Sequence, residues 1–282
     1  MNKLTILLTA LLVCADFFAA KGQESDESLL KAVKWEWNDL GRGAQYAWAQ
    51  FEIFDSVQSI GILRYPASRF RTCIMNEGGA AADSTSALIM RGKGIAGVNA
   101  SYFNVRTLYP VTFVLDDGKV EGSTDRREYE YRVDGIMTVA HKKKVSIAHC
   151  DSLSYLKASK GCREAIAAGP ILLVDGEVAS DSWPDHRFYH ERAPRTVIGN
   201  TSDGWIYMIV IDGRFPGQGI GTTILETALI TKWLGLDDAL NLDGGGSSVL
   251  WTRRDGVITH PYDNKKFDHY GQRVVPNVIY IR

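Results

Sequence analysis

Apolar and polar positions along the chain sort into short strands separated by turn signals. Residues 48–54, 59–64 and 71–75 read as strands, half-apolar and rich in β-branched and aromatic side chains. Four of the Asp-Gly pairs, Asp117-Gly118, Asp175-Gly176, Asp203-Gly204 and Asp255-Gly256, each stand between apolar or β-branched runs. Asp-Gly accommodates the positive φ angles of a tight hairpin turn, so each pair predicts two antiparallel strands. The run WIYMIVIDGR, residues 205–214, is apolar on both faces and predicts a central, doubly covered strand.

Helical periodicity is rarer. Residues 84–91 predict a short helix with a Ser or Thr cap. Residues 222–235 predict a longer one. Thr223 and Glu226 have the spacing of a capping box, Leu225, Leu229 and Trp233 recur at i, i+4 and i+8, and Gly235 suits a left-handed stop. Many strands and few helices predict an α+β fold: a mixed, largely antiparallel sheet with several Asp-Gly hairpins and a few packed helices.

The N-terminus follows another pattern. A weakly basic start at Asn2 and Lys3 leads into an apolar run over 4–13, then small residues at Ala19, Ala20 and Gly22. This predicts an export signal over 1–22 and a periplasmic or extracellular protein with no membrane span in its mature chain. Cys14 follows Leu11-Leu12-Val13, a loose lipobox, so a lipid anchor at Cys14 is the alternative. Residues 23–80 are expected to form an N-terminal extension that completes the same sheet, its first part, 23–40, a solvated lead-in. Residues 81–282 are expected to form the main domain.

Composition narrows the function. The formal net charge of −1 over 282 residues gives no electrostatic footprint for nucleic acid. Removing the signal leaves Cys73, Cys150 and Cys162. Export permits a disulfide, with Cys150–Cys162 closing the shortest loop; free buried thiols are the other reading.

The candidate chemistry sits at strand ends. ALNLDGGGSS ends an apolar strand in Asp243, then Gly244, Gly245, Gly246 and Ser247. Three glycines cost backbone entropy unless something approaches the backbone closely, so a ligand against the loop is expected, with its N–H groups as anion donors. No lysine follows, as a nucleotide-binding P-loop would need. A second strand stops at Asp212-Gly213-Arg214, and a third starts at Arg195. An arginine's planar fork suits phosphate or carboxylate. Asn99 ends a short strand, with Tyr102 close behind for sugar stacking or for the core. Glu226 is a further carboxylate, either catalytic or spent on its capping box. Asp212 and Asp243 also offer oxygen ligands that would suit a divalent metal, although no dense acidic loop accompanies them.

Taken in order, VNASYFN, AAGPILLVDG, RTVIG, VIDGR, GTTILETA, ALNLDGGGSS and RVVPNVIYI resemble the phosphodiester glycosidase family from about residue 80 onward. Ala100 and Ser101 stand where family members often carry two glycines. The resemblance implies a hydrolase that cleaves between a sugar's anomeric carbon and a phosphodiester oxygen, on an envelope or host glycan, with no required cofactor. Under it, Asp243 is the expected base or nucleophile. Asp212 and Glu226 are auxiliary carboxylates, Arg195 and Arg214 hold the phosphate, Gly244–Ser247 donate hydrogen bonds, and Asn99 and Tyr102 bind the sugar. A phosphodiesterase attacking phosphorus and a non-catalytic glycan-binding protein are the alternatives.

Overall fold

The computed structural model describes residues 25–140, 144–151, 154–180 and 182–282. The expected export signal and Cys14 lie outside the described residues. An eight-stranded sheet runs in the order Asn38–Gly41, Ala44–Ile53, Ser56–Pro66, Trp205–Ile211, Arg195–Asn200, Asp238–Asn241, Ile171–Val174, Glu177–Val178. Two five-stranded sheets accompany it, one centred on Cys162–Ala168 and one on Ala96–Asn99. Every recorded pairing within the three is antiparallel, and the fold is α+β.

Local chemistry explains the hairpins. All four predicted Asp-Gly pairs join neighbouring antiparallel strands. At the tightest, both residues take positive φ, as Asp117 (47°) and Gly118 (84°) do. The strand Ser56–Pro66 pairs directly with Trp205–Ile211, and Ala44–Ile53 pairs with Ser56–Pro66 on its other side, so residues 44–66 are built into the large sheet, while Thr72–Asn76 joins the sheet of Ala96–Asn99.

Side-chain alternation sorts the core. Met208, Val210, Ile198 and Leu240 face a core shared with the two smaller sheets. Ile209, Ile211, Val197 and Ala239 face the opposite way, under the helices. The helix Ile224–Trp233 forms with its capping box intact, and Gly235 follows at φ 82°. Its buried face differs from the expected one. Ile224, Thr227, Ala228 and Thr231 point inward, while Leu225 is 44% exposed. Ile230 joins them on the inner face, and Trp233 instead stacks on Phe54.

Residues 25–40 are not simply solvated. Ser25 caps the helix Asp26–Ala32, which buries Leu30, and Asp26 accepts the Phe54 N–H at 2.8 Å. The three described cysteines, Cys73, Cys150 and Cys162, are free, which removes the expected Cys150–Cys162 bridge. Among the described residues no helix is long and apolar enough to cross a membrane.

Candidate active site

Antiparallel pairing brings the motifs together. Arg195 opens its strand opposite Ile211, near the end of the neighbouring strand, and Val197 pairs with Asn241 on the other side. The start of one strand therefore lies beside the ends of both neighbours. Arg195, Arg214 and Asp243, far apart in sequence, line one cleft of about 460 Å³ with Gly244, Gly245, Gly246 and Tyr102.

Among the described residues, Asp243 is the one aspartate of this lining. The residue is partly accessible from the cleft, but protein atoms surround its carboxyl group. Burial pushes its pKa up to about 6, against the opposing pull of the nearby Ser247 hydroxyl, Arg132, Arg273 and the Gly244 N–H. Its backbone is fixed at both ends: the N–H donates to Ala100 O at 2.9 Å, and the C=O accepts from Asn99 Nδ2 at 2.6 Å.

Five arginines line the cleft: Arg132, Arg187, Arg195, Arg214 and Arg273. Three have carboxylate partners. Arg132 pairs with Glu128, Arg187 with Glu191, and Arg273 with Asp263 through two 2.8 Å hydrogen bonds. Arg195 and Arg214 have none among the described residues. Arg195 is 3% exposed, and burial lowers its pKa to about 10. Its guanidinium donates to three backbone carbonyls, those of Thr222, Phe188 and Glu191, at 2.9–3.0 Å. These bonds tie the short helix Arg187–His190 to the sheet and make it one wall of the cleft. Arg214 is exposed, at φ 68°, with its guanidinium 5.3 Å over the Tyr262 ring.

The glycines have an internal structural reason. A Cβ on Gly244 would stand 2.6 Å from Pro194 O, and one on Gly246 would overlap the Asp263 and Arg273 side chains. Gly245 turns the loop at φ 63°. Ser247, expected as a donor to the ligand, is instead fully buried beside the Asp243 carboxyl group and does not line the cleft.

Several expected residues lie elsewhere. Asp212 is 1% exposed and outside the cleft. It follows Ile211, which faces Arg195, so alternation turns it to the other side of the sheet. There it accepts Ser59 Oγ at 2.6 Å and His260 N at 2.8 Å, and bonds His260 Nδ1 at 2.8 Å. Glu226 is also outside: it closes the capping box and pairs with Arg192. Asn99 is fully buried and reaches no ligand space. Besides Asp243 O, it bonds Thr196 Oγ1 at 2.8 Å and Val249 N at 3.2 Å. Tyr102 does line the cleft, with its hydroxyl spent on Gly169 O and the Arg132 guanidinium 3.6 Å over its ring. Ser101, one of the two residues in place of the family's glycines, bonds Asn277 Oδ1 through both its N–H and its hydroxyl.

Arg132, Arg273, Tyr131, His186 and Phe188 also line the cleft and escaped the sequence reading. Arg273 could have been found, since it opens the RVVPNVIYI motif. Arg132 follows the short helix Arg126–Tyr131 in a stretch with no distinctive pattern. Among the described residues no three His, Cys, Asp or Glu side chains gather to hold a metal ion.

Three antiparallel sheets with a buried carboxylate in an arginine-lined cleft define the class: an α+β protein. The chain belongs to the phosphodiester glycosidase family, whose sequence profile matches residues 92–282. Membership and fold support a phosphodiester glycosidase-like function. The SPbeta prophage-derived uncharacterized protein YomE of Bacillus subtilis is 35% identical over 94 residues, 32% of this chain, and the chain spans only 14% of that relative. Among solved structures, the zebrafish N-acetylglucosamine-1-phosphodiester α-N-acetylglucosaminidase catalytic domain, auto-inhibited by its pro-peptide, superposes with a TM-score of 0.67. It is 15% identical, with 92% of this chain and 94% of that one covered. A hypothetical protein from Synechocystis also has a TM-score of 0.67, at 13% identity, covering 89% of this chain and 64% of the other. A putative exported protein from Burkholderia pseudomallei gives 0.55 at 18% identity, covering 80% and 74%. At these identities the likeness is one of fold.

Proposed function

We propose that the protein is an exported hydrolase that cleaves the bond between a sugar's anomeric carbon and a phosphodiester oxygen. One observation carries the reading: Arg195 and Arg214, both without carboxylate partners among the described residues, share a cleft with Asp243. A buried, unpaired guanidinium is costly, and an anionic ligand would relieve it. The charges balance. Two unpaired arginines and one ionised Asp243 leave a single positive charge, which a phosphodiester monoanion neutralises.

The same ledger holds through the reaction. Water attacks the anomeric carbon and passes its proton to Asp243, and the C–O bond breaks with its electron pair going to the phosphate. The carboxylate loses one negative charge while the departing phosphomonoester gains one. Negative charge therefore develops on the phosphate, where the guanidinium groups would stabilise it. A phosphate is a good leaving group, so no separate general acid is required. Phe188 and the Tyr131–His186 pair, whose rings are 4.5 Å apart, form an aromatic wall suited to a sugar face.

The test is hydrolysis of a panel of sugar-1-phosphodiesters by wild type and Asp243→Asn, with products identified. Free sugar plus phosphomonoester, from wild type alone, is expected. Sugar phosphate plus alcohol would place the attack at phosphorus and reject the reading. Export rests on the pattern of residues 1–22, and determining the N-terminus of the mature protein from its native cells tests it.

A further inference from the structure

A second recess lies at the opposite end of the eight-stranded sheet. The strand Trp205–Ile211 runs from it toward the cleft, and at about 3.3 Å per residue the two are roughly 20 Å apart. The helix Ile224–Trp233 covers Ile209 and Ile211 but stops before Gly235, leaving the first part of the strand half-open. The space is about 500 Å³, lined by Arg64, Thr201, Asp203, Trp205, Tyr207 and Asp237 among others.

Its chemistry differs from that of the cleft. Arg64 lies 3.7 Å over the Trp37 ring and 5.5 Å from the Trp205 ring, with Nε and Nη2 on Gln45 Oε1. That bonding braces the aromatic surface without a carboxylate. Asp203 takes one hydrogen bond from Thr201 Oγ1, and Asp237 one from the Ser202 N–H. Neither forms an ion pair among the described residues, so each of these recess-lining carboxylates keeps acceptor capacity. Two carboxylates against one guanidinium disfavour an anion. Aromatic faces beside carboxylate acceptors match a pyranose, which presents C–H groups on one face and hydroxyl donors at its edge.

We infer that this recess binds a neutral sugar residue of a glycan chain, separately from the arginine-lined cleft. A polymeric substrate could then be held at one end of the sheet while its phosphodiester reaches the other. Binding here does not depend on the hydrolytic reading, so the experiment measures binding without turnover. Asp243→Asn, Asp243→Asn/Trp205→Ala and Asp243→Asn/Asp203→Ala proteins are titrated with neutral hexose and N-acetylhexosamine oligosaccharides. Asp203 is exposed on a hairpin turn, so its replacement keeps the test alive if loss of Trp205 harms folding. The expected result is binding of at least one oligosaccharide by Asp243→Asn, weakened tenfold or more in both double variants. No binding by Asp243→Asn, or equal binding by a folded double variant, overturns the inference.

Discussion

The side-chain amide of Asn99 donates to the backbone carbonyl of Asp243 at 2.6 Å across 144 residues of sequence. The bond fixes where the strand ends and thus where the carboxylate begins. Asn99 does not line the cleft, yet its other two hydrogen bonds tie it to Thr196 in the large sheet and to Val249 just after the glycine loop. Asn99→Ala is expected to cost about 1–3 kcal/mol, since buried partners are left unsatisfied. It should also lower kcat more than it raises KM, because Asp243 moves while the arginines stay. Urea denaturation and steady-state kinetics check both; an unchanged kcat in a stable variant would contradict it.

Asp243 is predicted to trade stability for function. Its folded pKa, about 6, lies above the ordinary carboxylate value of 3.8, so the fold favours the protonated form. The destabilisation is absent below the unfolded pKa, grows between the two values, and is complete above about pH 6. At roughly 1.4 kcal/mol per unit it reaches at most about 3 kcal/mol. Asp243→Asn should therefore melt higher than wild type at pH 7.5 and equally at pH near 3.5, while losing turnover. The acidic limb of the wild-type rate profile should fall near pH 6.

A second buried carboxylate gives a control. Burial raises Glu164 from 4.5 to about 7, well away from the cleft, where it accepts the Asp117 N–H at 3.1 Å. By the same sign, wild-type stability should decline as pH rises from about 4.5 to 7. Glu164→Gln, which keeps an acceptor, should flatten that decline and leave the pH–rate profile unchanged. Thermal melts across pH, read beside the kinetics, separate the two groups.

Inorganic phosphate should stabilise the folded protein through Arg195 and Arg214. At a concentration about a hundred times Kd the gain would be about 2.7 kcal/mol. Arg214 is exposed and its side chain makes no hydrogen bond among the described residues, so Arg214→Ala should remove much of the phosphate effect without lowering basal stability. Arg195→Ala should remove it and also destabilise the fold, because three carbonyls lose their donor. A phosphate-induced melting shift that survives in both variants would argue against this cleft as the anion site.

The glycine loop offers a contrast between neighbours. A Cβ at Gly244 meets the Pro194 backbone, which cannot move aside, so Gly244→Ala should act on stability. A Cβ at Gly246 meets only the ends of Asp263 and Arg273, which can swing away at little cost. Gly246→Ala should therefore fold nearly as well as wild type but bind substrate more weakly, read as a raised KM.

The sequence by itself determined the elements. Asp-Gly pairs tolerate the positive φ angles that tight turns require, so hairpins at 117, 175, 203 and 255 were legible, as was the Thr223–Glu226 capping box. Strand-end motifs also pointed to Arg195, Arg214 and Asp243, because chain ends of strands are where side chains leave the packed sheet. Only the tertiary structure decided which of them meet. Asp212 is two residues from Arg214 in sequence, but alternation places it with Ser59 and His260 on the far side of the sheet. Glu226 is held by Arg192, and Arg132 enters the cleft from a different sheet's connection. A motif records local backbone preference, whereas the partners of a buried charge depend on strand register and on which faces the sheets turn toward one another.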